Sequence, residues 1–93
     1  MIESTYIEFL QKAIRRYFPD KDIQAFIFGS AVQKKRFRDV DIALIGELDR
    51  AKLYDLKEAL EESNFPYIVD IVTIDSTTEE FKGHILEGEK IFL

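Results

Sequence analysis

The feature that most constrains this chain of 93 residues is the run DVDIALI at residues 39–45, which carries two carboxylates among apolar side chains. The run predicts a buried strand. Side chains alternate along a strand, so Asp39 and Asp41 project from one face and Val40 and Ile42 from the other. Because burying an ionised carboxylate without a partner is costly, these acids need a cation or extensive hydrogen bonding.

A second apolar run, YIVDIVTI at residues 67–74, again contains a single charge, Asp70. The strand rise places the Cα atoms of Asp39 and Asp41 about 7 Å apart, so both carboxylates can reach the same one or two cations. Three acids on two adjacent strands form an oxygen-rich site suited to Mg²⁺. We therefore predict Asp39, Asp41 and Asp70 as metal ligands. The alternative is that they cap strand ends or pair with surface lysines, which explains one such residue better than three.

Gly29 and Ser30 follow another apolar strand, residues 24–28, and precede a short predicted helix beginning at Ser30. A glycine at this junction lets the backbone approach a ligand closely, and a helix N-terminus offers N–H groups to phosphate. The next loop holds four basic residues in five positions. Its cations Lys34 and Lys35 are candidates to contact a triphosphate, although a solvated turn explains such a cluster equally well.

The order of elements predicts an α/β or α+β fold, with helices packed on a three-stranded mixed sheet. The expected order is helix, strand, short helix, strand, helix, strand, helix. Outside the segments already given, we expect helices at residues 4–18 and from the N-cap Asp49 to about Ser63, and a last helix opened by a capping box of Thr77 and Glu80. A chain of this length predicts one domain, residues 1–93.

Composition narrows the class of protein. The chain is 46% hydrophobic and 33% charged, which predicts a soluble globular protein. It lacks an apolar run long enough for a membrane span, and its lack of cysteine fits a cytoplasmic protein. The net charge of −5 argues against direct nucleic-acid binding through a broad basic surface. His84, the one histidine, is expected to be a surface or packing residue, and Tyr6 and Tyr17 are expected to belong to the core.

The motifs FGS, DVDIAL and VDIV, with the tail ILEGEKIFL, together resemble the DNA polymerase beta-like nucleotidyltransferase superfamily. The chain looks most like the minimal nucleotidyltransferases, which often have a HEPN-domain partner. Two departures from the family pattern stand out: the loop after Ser30 is short and lacks an Arg-Gly pair, and Arg38 replaces a common serine. Neither removes a metal ligand.

The resemblance implies a magnesium-dependent transfer of a nucleoside monophosphate, with two Mg²⁺ ions and ATP as the substrate. Asp39, Asp41 and Asp70 would hold the ions, with Asp70 on the acceptor side as the candidate base, and Gly29, Ser30, Lys34 and Lys35 would hold the phosphates. The implied acceptor is a hydroxyl of a HEPN toxin, which makes this chain its antitoxin. The alternative is a catalytically weak module that neutralises the same partner by stoichiometric contact.

Overall fold

The computed structural model describes residues 1–74 and 78–93. In chain order the helices and strands of this part are α1 (Ser4–Tyr17), β1 (Gln24–Phe28), α2 (Ser30–Gln33), β2 (Asp39–Ile45), α3 (Arg50–Glu62), β3 (Ile68–Thr73), α4 (Glu79–Glu87) and β4 (Lys90–Phe92). The predicted α+β class and mixed sheet are confirmed. No helix of the described part combines the length and hydrophobicity of a membrane-spanning segment.

The sheet has four strands in the order β3-β2-β1-β4, so the prediction of three strands was wrong. The tail after α4 forms β4, which pairs antiparallel with β1. A run of three residues is too short to predict a strand by itself, and β4 exists because the free edge of β1 offers it hydrogen bonds. β1 and β2 are antiparallel, while β2 and β3 are parallel.

The main core lies on one face of the sheet, beneath α1, α2 and α3. Its fully buried side chains include Leu10 and Ile14 of α1, Ile27 of β1, Ile42 of β2 and Leu56 of α3. The amphipathic spacing of the two long helices produces this layer, because each buries one apolar stripe against the strands. The opposite face of the sheet is left for α4 and for the aspartates.

A smaller core holds one end of that opposite face. Ile85 of α4 packs there with Phe26 and Ala43. The cap of α4 is Thr78, whose hydroxyl accepts a hydrogen bond from the Phe81 N–H at 3.2 Å. The predicted cap residue Thr77 lies outside the described residues. Since α4 covers only this end, the remainder of the face stays accessible at Asp41 and Asp70.

Candidate active site

The candidate site is built on a row of side chains that crosses three strands. Phe28 of β1 lies opposite Asp41 of β2, and Asp41 lies opposite Asp70 of β3. Residues at matched positions of neighbouring strands project from the same face, and the strands are about 4.8 Å apart. The sheet therefore places the carboxylates of Asp41 and Asp70 side by side.

Asp39 lies two residues before Asp41 on the same strand and face. Asp41 is therefore a neighbour of both other acids, of Asp39 along β2 and of Asp70 across the sheet. Val40 and Ile42, between and after them, are fully buried on the opposite face, as the alternation predicts. Asp39 and Asp41 are half-buried and Asp70 is exposed. Desolvation by burial, then the charge of Asp70, then the charge of Asp39 raise the pKa of Asp41 above its ordinary value.

The turn between β1 and α2 brings the backbone up against Asp41. Gly29 has φ +78° and ψ −147°, a conformation that side chains with a Cβ rarely adopt. A Cβ at this residue would lie 2.9 Å from Oδ2 of Asp41. The absence of a side chain at Gly29 therefore lets the turn and the carboxylate occupy adjoining space.

Ser30 begins the short helix α2, with Gly29 as its N-cap. The Gly29 carbonyl accepts hydrogen bonds from the N–H groups of Val32 and Gln33 at 3.1 and 3.2 Å. The Ser30 hydroxyl is half-buried and makes no hydrogen bond to another residue of the described part. It is therefore available to a ligand beside the turn.

The basic loop follows α2. Lys34 and Lys35 are exposed, as are the two arginines of the loop. The loop backbone is held at both ends: the Met1 amino group donates to the Lys34 carbonyl at 2.6 Å, and the Ile68 N–H donates to the Arg38 carbonyl at 3.1 Å. The lysines thus have a fixed backbone and free side chains, although neither makes a contact that ties it to the aspartates.

The three carboxylates suit a hard cation, because carboxylate oxygens are the ligands that Mg²⁺ prefers. Among the described residues, no cationic side chain forms an ion pair with Asp39, Asp41 or Asp70. Burial raises the pKa of Asp41 most, and the negative charges of Asp70 and Asp39 raise it further; a cation would relieve that charge repulsion. Within residues 1–74 and 78–93, however, no three acidic or histidine side chains form a ready-made metal-binding group. The strands align the three predicted ligands but do not by themselves gather their carboxylates around one point.

The remaining candidates lie away from this row. His84 is exposed on α4, as expected of a surface residue. Tyr6 and Tyr17 pack against the main core, as predicted.

Sequence reasoning missed that α3, which packs on the other face of the sheet, also lines the cleft that contains Asp41 and Asp70. Tyr54, Glu58 and Glu61 line the same cleft as Asp41 and Asp70. Their spacing of four and three residues does predict a shared helix face, but nothing in the sequence indicates which strand that face adjoins.

A Gly-Ser turn packed against paired aspartates, on a mixed sheet with a third aspartate on the adjacent strand, is the arrangement that the sequence resemblance implies for a nucleotidyltransferase. The chain belongs to the Polymerase beta, Nucleotidyltransferase family, whose model matches residues 11–93. This confirms the resemblance seen in the motifs. The chain is therefore a small nucleotidyltransferase.

One curated relative is 34% identical to this chain over 85 residues, covering 87% of this chain and 73% of the relative. It is a protein of Haemophilus influenzae described as a probable protein adenylyltransferase, MntA.

Solved structures share the fold. Two crystal structures are of mutants of the toxin–antitoxin MntA-HpeT, one with a tyrosine changed to alanine and one with two aspartates changed to glutamate. They match with TM-scores of 0.68 and 0.64 at 23% and 22% identity, over 98% and 96% of this chain and 72% and 71% of theirs. A structure from Shewanella oneidensis matches with a TM-score of 0.64 at 19% identity, over 98% of this chain and 71% of that chain.

Proposed function

We propose that the protein is a single-domain, magnesium-dependent transferase that moves AMP from ATP to a hydroxyl of a partner protein. The observation that carries this proposal is the register of Asp41 with Asp70, with Asp39 beside them and the Gly29 turn against Asp41. This arrangement puts three hard-cation ligands next to a backbone turn suited to phosphate. The partner would be a HEPN-domain toxin in the cytoplasm, which this protein would neutralise as its antitoxin.

The nucleotide side of the site is formed by the turn and the basic loop. The backbone at Gly29 and the free hydroxyl of Ser30 would bind the terminal phosphates. Lys34 and Lys35 would add positive charge at the outer end of the triphosphate. When bound by Asp39, Asp41 and Asp70, two Mg²⁺ ions would neutralise phosphate charge and polarise the acceptor hydroxyl.

The acceptor side is assigned to Asp70. The acceptor oxygen would form a bond to the α-phosphorus of ATP while the bond from that phosphorus to the β-phosphate oxygen breaks. Pyrophosphate leaves, and the hydroxyl proton passes to the Asp70 carboxylate. Asp70 is the exposed member of the three acids and lies on the edge strand of the sheet, so it is the one that an incoming chain reaches first.

A protein acceptor fits the architecture and the relatives. The described strands form the sheet and the described helices pack against it. They leave an open cleft beside Asp70 and no closed pocket for a small molecule. The Haemophilus influenzae relative is described as a protein adenylyltransferase, and two of the matched structures are of a toxin–antitoxin pair. We transfer both properties to this chain as part of the proposal.

One observation favours the alternative of a catalytically weak binding module. Among the described residues, no three acidic or histidine side chains form a ready-made metal-binding group. A chain that neutralises its partner by contact alone would not need one.

Labelled ATP separates the two functions. The protein is incubated with Mg²⁺ and the HEPN-domain protein of the same organism, using ATP labelled in either the α- or the γ-phosphate. We expect label from the α-phosphate, and none from the γ-phosphate, to stay on the partner. A partner that is inhibited yet unlabelled in both reactions supports the binding module. Label from the γ-phosphate would indicate a kinase instead.

A further inference from the structure

Among the described strands, the one that carries Asp70 lies at an edge of the sheet. β3 is the outermost strand of the sheet and pairs only with β2 among the described strands. The Ile68 N–H points inward, where it bonds to the Arg38 carbonyl at 3.1 Å. Backbone polar groups alternate in direction along a strand, so those of Val69 and Ile71 point outward. This edge can accept another strand.

A cleft of about 1160 Å³ runs along that edge, between α3 and the aspartate face. Asp41 and Asp70 line it on one side and the exposed face of α3 on the other. Three of its lining residues are large apolar side chains left accessible to solvent: Tyr54 (66% exposed), Ile68 (62%) and Phe81 (46%). A cleft with a free strand edge and exposed apolar walls suits an extended polypeptide.

The charge of the α3 side chains that line the cleft determines which polypeptides it favours. Glu58, Glu61 and Glu62 line the cleft from α3, and Lys57 is the one basic residue among its lining side chains. These glutamates lie outside the predicted metal ligands, so they stay negative when cations occupy the aspartates. The cleft therefore complements a positively charged segment, and the same negative charge disfavours a second copy of this chain.

We infer that the edge of β3 binds the acceptor segment of the partner as an added strand with basic residues. The inference rests on the proposed function and adds to it how the acceptor is recognised. A segment residue opposite Asp70 projects from the same face as Asp70 and Asp41. Main-chain pairing thus delivers the acceptor hydroxyl to the acceptor-side aspartate without a dedicated pocket.

Strand alternation also fixes the neighbours of the acceptor residue. The residues immediately before and after it project from the other face, towards α3 and its glutamates. The recognised pattern is therefore a residue with a hydroxyl group, such as tyrosine, with lysine or arginine on both sides. This pattern follows from the geometry of the edge and is independent of the nucleotide.

Binding is tested without nucleotide, so that catalysis does not enter the result. The probe is a short synthetic peptide of β-branched residues with a central tyrosine between two lysines. One variant has N-methyl groups on the two lysine amides, and a matched variant has a single N-methyl group on the tyrosine amide. Antiparallel pairing uses the lysine amides and parallel pairing uses the tyrosine amide. Loss of binding with one variant and not the other supports the inference, as does slowed hydrogen exchange of the Val69 and Ile71 amides.

Charge reversal on α3 tests recognition separately. The double variant Glu58→Lys, Glu61→Lys is expected to bind the lysine peptide about tenfold more weakly at low ionic strength and a glutamate-flanked peptide more tightly. The control variant Glu8→Lys, Asp55→Lys changes two exposed acids outside the cleft and is expected to bind like wild type.

The inference is overturned if the peptide shows no saturable binding at millimolar concentration, if both N-methyl variants bind equally, or if the free protein dimerises through β3. If the peptide binds as described but no AMP reaches any protein acceptor, the edge remains the binding surface and the proposed transfer fails. The two claims therefore fail by different results.

Discussion

The carboxylate of Asp41 occupies the space that a side chain at Gly29 would need: a Cβ there would lie 2.9 Å from Oδ2. Two segments separated by α2 and the basic loop are thus fitted to each other at the centre of the site. Gly29 also has a positive φ of +78°, a backbone conformation that residues with a side chain rarely adopt, so this position favours glycine for that reason as well. The turn at Gly29 and the Asp41 carboxylate therefore form one structural unit.

Replacing Gly29 should therefore cost both stability and nucleotide binding. We expect Gly29→Ala to lower the free energy of unfolding by about 1–3 kcal/mol, because the backbone is strained and the Asp41 carboxylate must move. Gly83→Ala is the matched control, since a Cβ at this α4 residue meets nothing within 4 Å. It should raise stability by about 0.5–1 kcal/mol through helix propensity. Urea denaturation measures the stability of the two variants. An unchanged free energy of unfolding for Gly29→Ala would contradict the geometry of the turn.

Neutralising Asp41 should stabilise the metal-free protein. Asp41→Asn removes the repulsion between directly opposed carboxylates, and we expect a gain of up to about 1 kcal/mol at pH 7. It should also abolish magnesium-dependent nucleotide binding, which calorimetric titration measures. If Asp41→Asn unfolds the protein, the acids are structural and the metal-site prediction fails.

The gain from Asp41→Asn should depend on pH. Because the pKa of Asp41 is raised in the folded state, the folded chain binds its proton more tightly than the unfolded chain does. Wild type therefore loses stability as the pH rises from the ordinary value of 3.8 through the raised pKa, and the loss is constant above it. The stability difference between the variants should be largest at neutral pH and shrink towards pH 3.8. A difference that grows on acidification would contradict a raised pKa for Asp41 in the folded state.

Removing the free hydroxyl of Ser30 should affect the ligand alone. Ser30→Ala is expected to leave the unfolding midpoint unchanged, since the hydroxyl has no hydrogen-bond partner in the described part of the chain. Nucleotide affinity should fall by about 1–2 kcal/mol, the value of a hydrogen bond to a charged group. Wild-type affinity in Ser30→Ala would show that this turn does not contact phosphate.

The two lysines of the basic loop should contribute charge and not structure. The double variant Lys34→Gln, Lys35→Gln is expected to bind ATP about 1–2 kcal/mol more weakly at low salt, with a smaller loss at high salt. Lys21→Gln, Lys52→Gln removes two exposed lysines elsewhere and serves as the control. If both double variants lost the same ATP affinity, the loss would come from the change in net charge and not from the position of Lys34 and Lys35.

Local patterns predicted most of the fold and the face on which the paired aspartates of the candidate site lie. The run at residues 39–45 became β2, with Asp39 and Asp41 on one face, because alternation depends only on neighbours in the chain. The N-cap Asp49 likewise follows from local chemistry: its side chain accepts hydrogen bonds from the N–H groups of Ala51 and Lys52.

Pairing between distant segments was beyond those patterns. The match of Asp41 to Asp70 depends on the register of two strands joined through α3, and a shift of one residue would turn Asp70 to the other face. β4 depends on the free edge of β1, and the border of the cleft depends on where α3 lies. Each of these is set by tertiary contacts that no single segment specifies.

Asp70 gives the most direct test of nucleotidyl transfer. Wild type and Asp70→Asn are each incubated with ATP, Mg²⁺ and the HEPN-domain partner, and the intact mass of the partner is measured. We predict one or more added AMP units with wild type and transfer about 10²-fold slower or more with Asp70→Asn, which should still bind ATP and Mg²⁺ within a few-fold of wild type. A partner that is inhibited by wild type without any added mass would contradict the account.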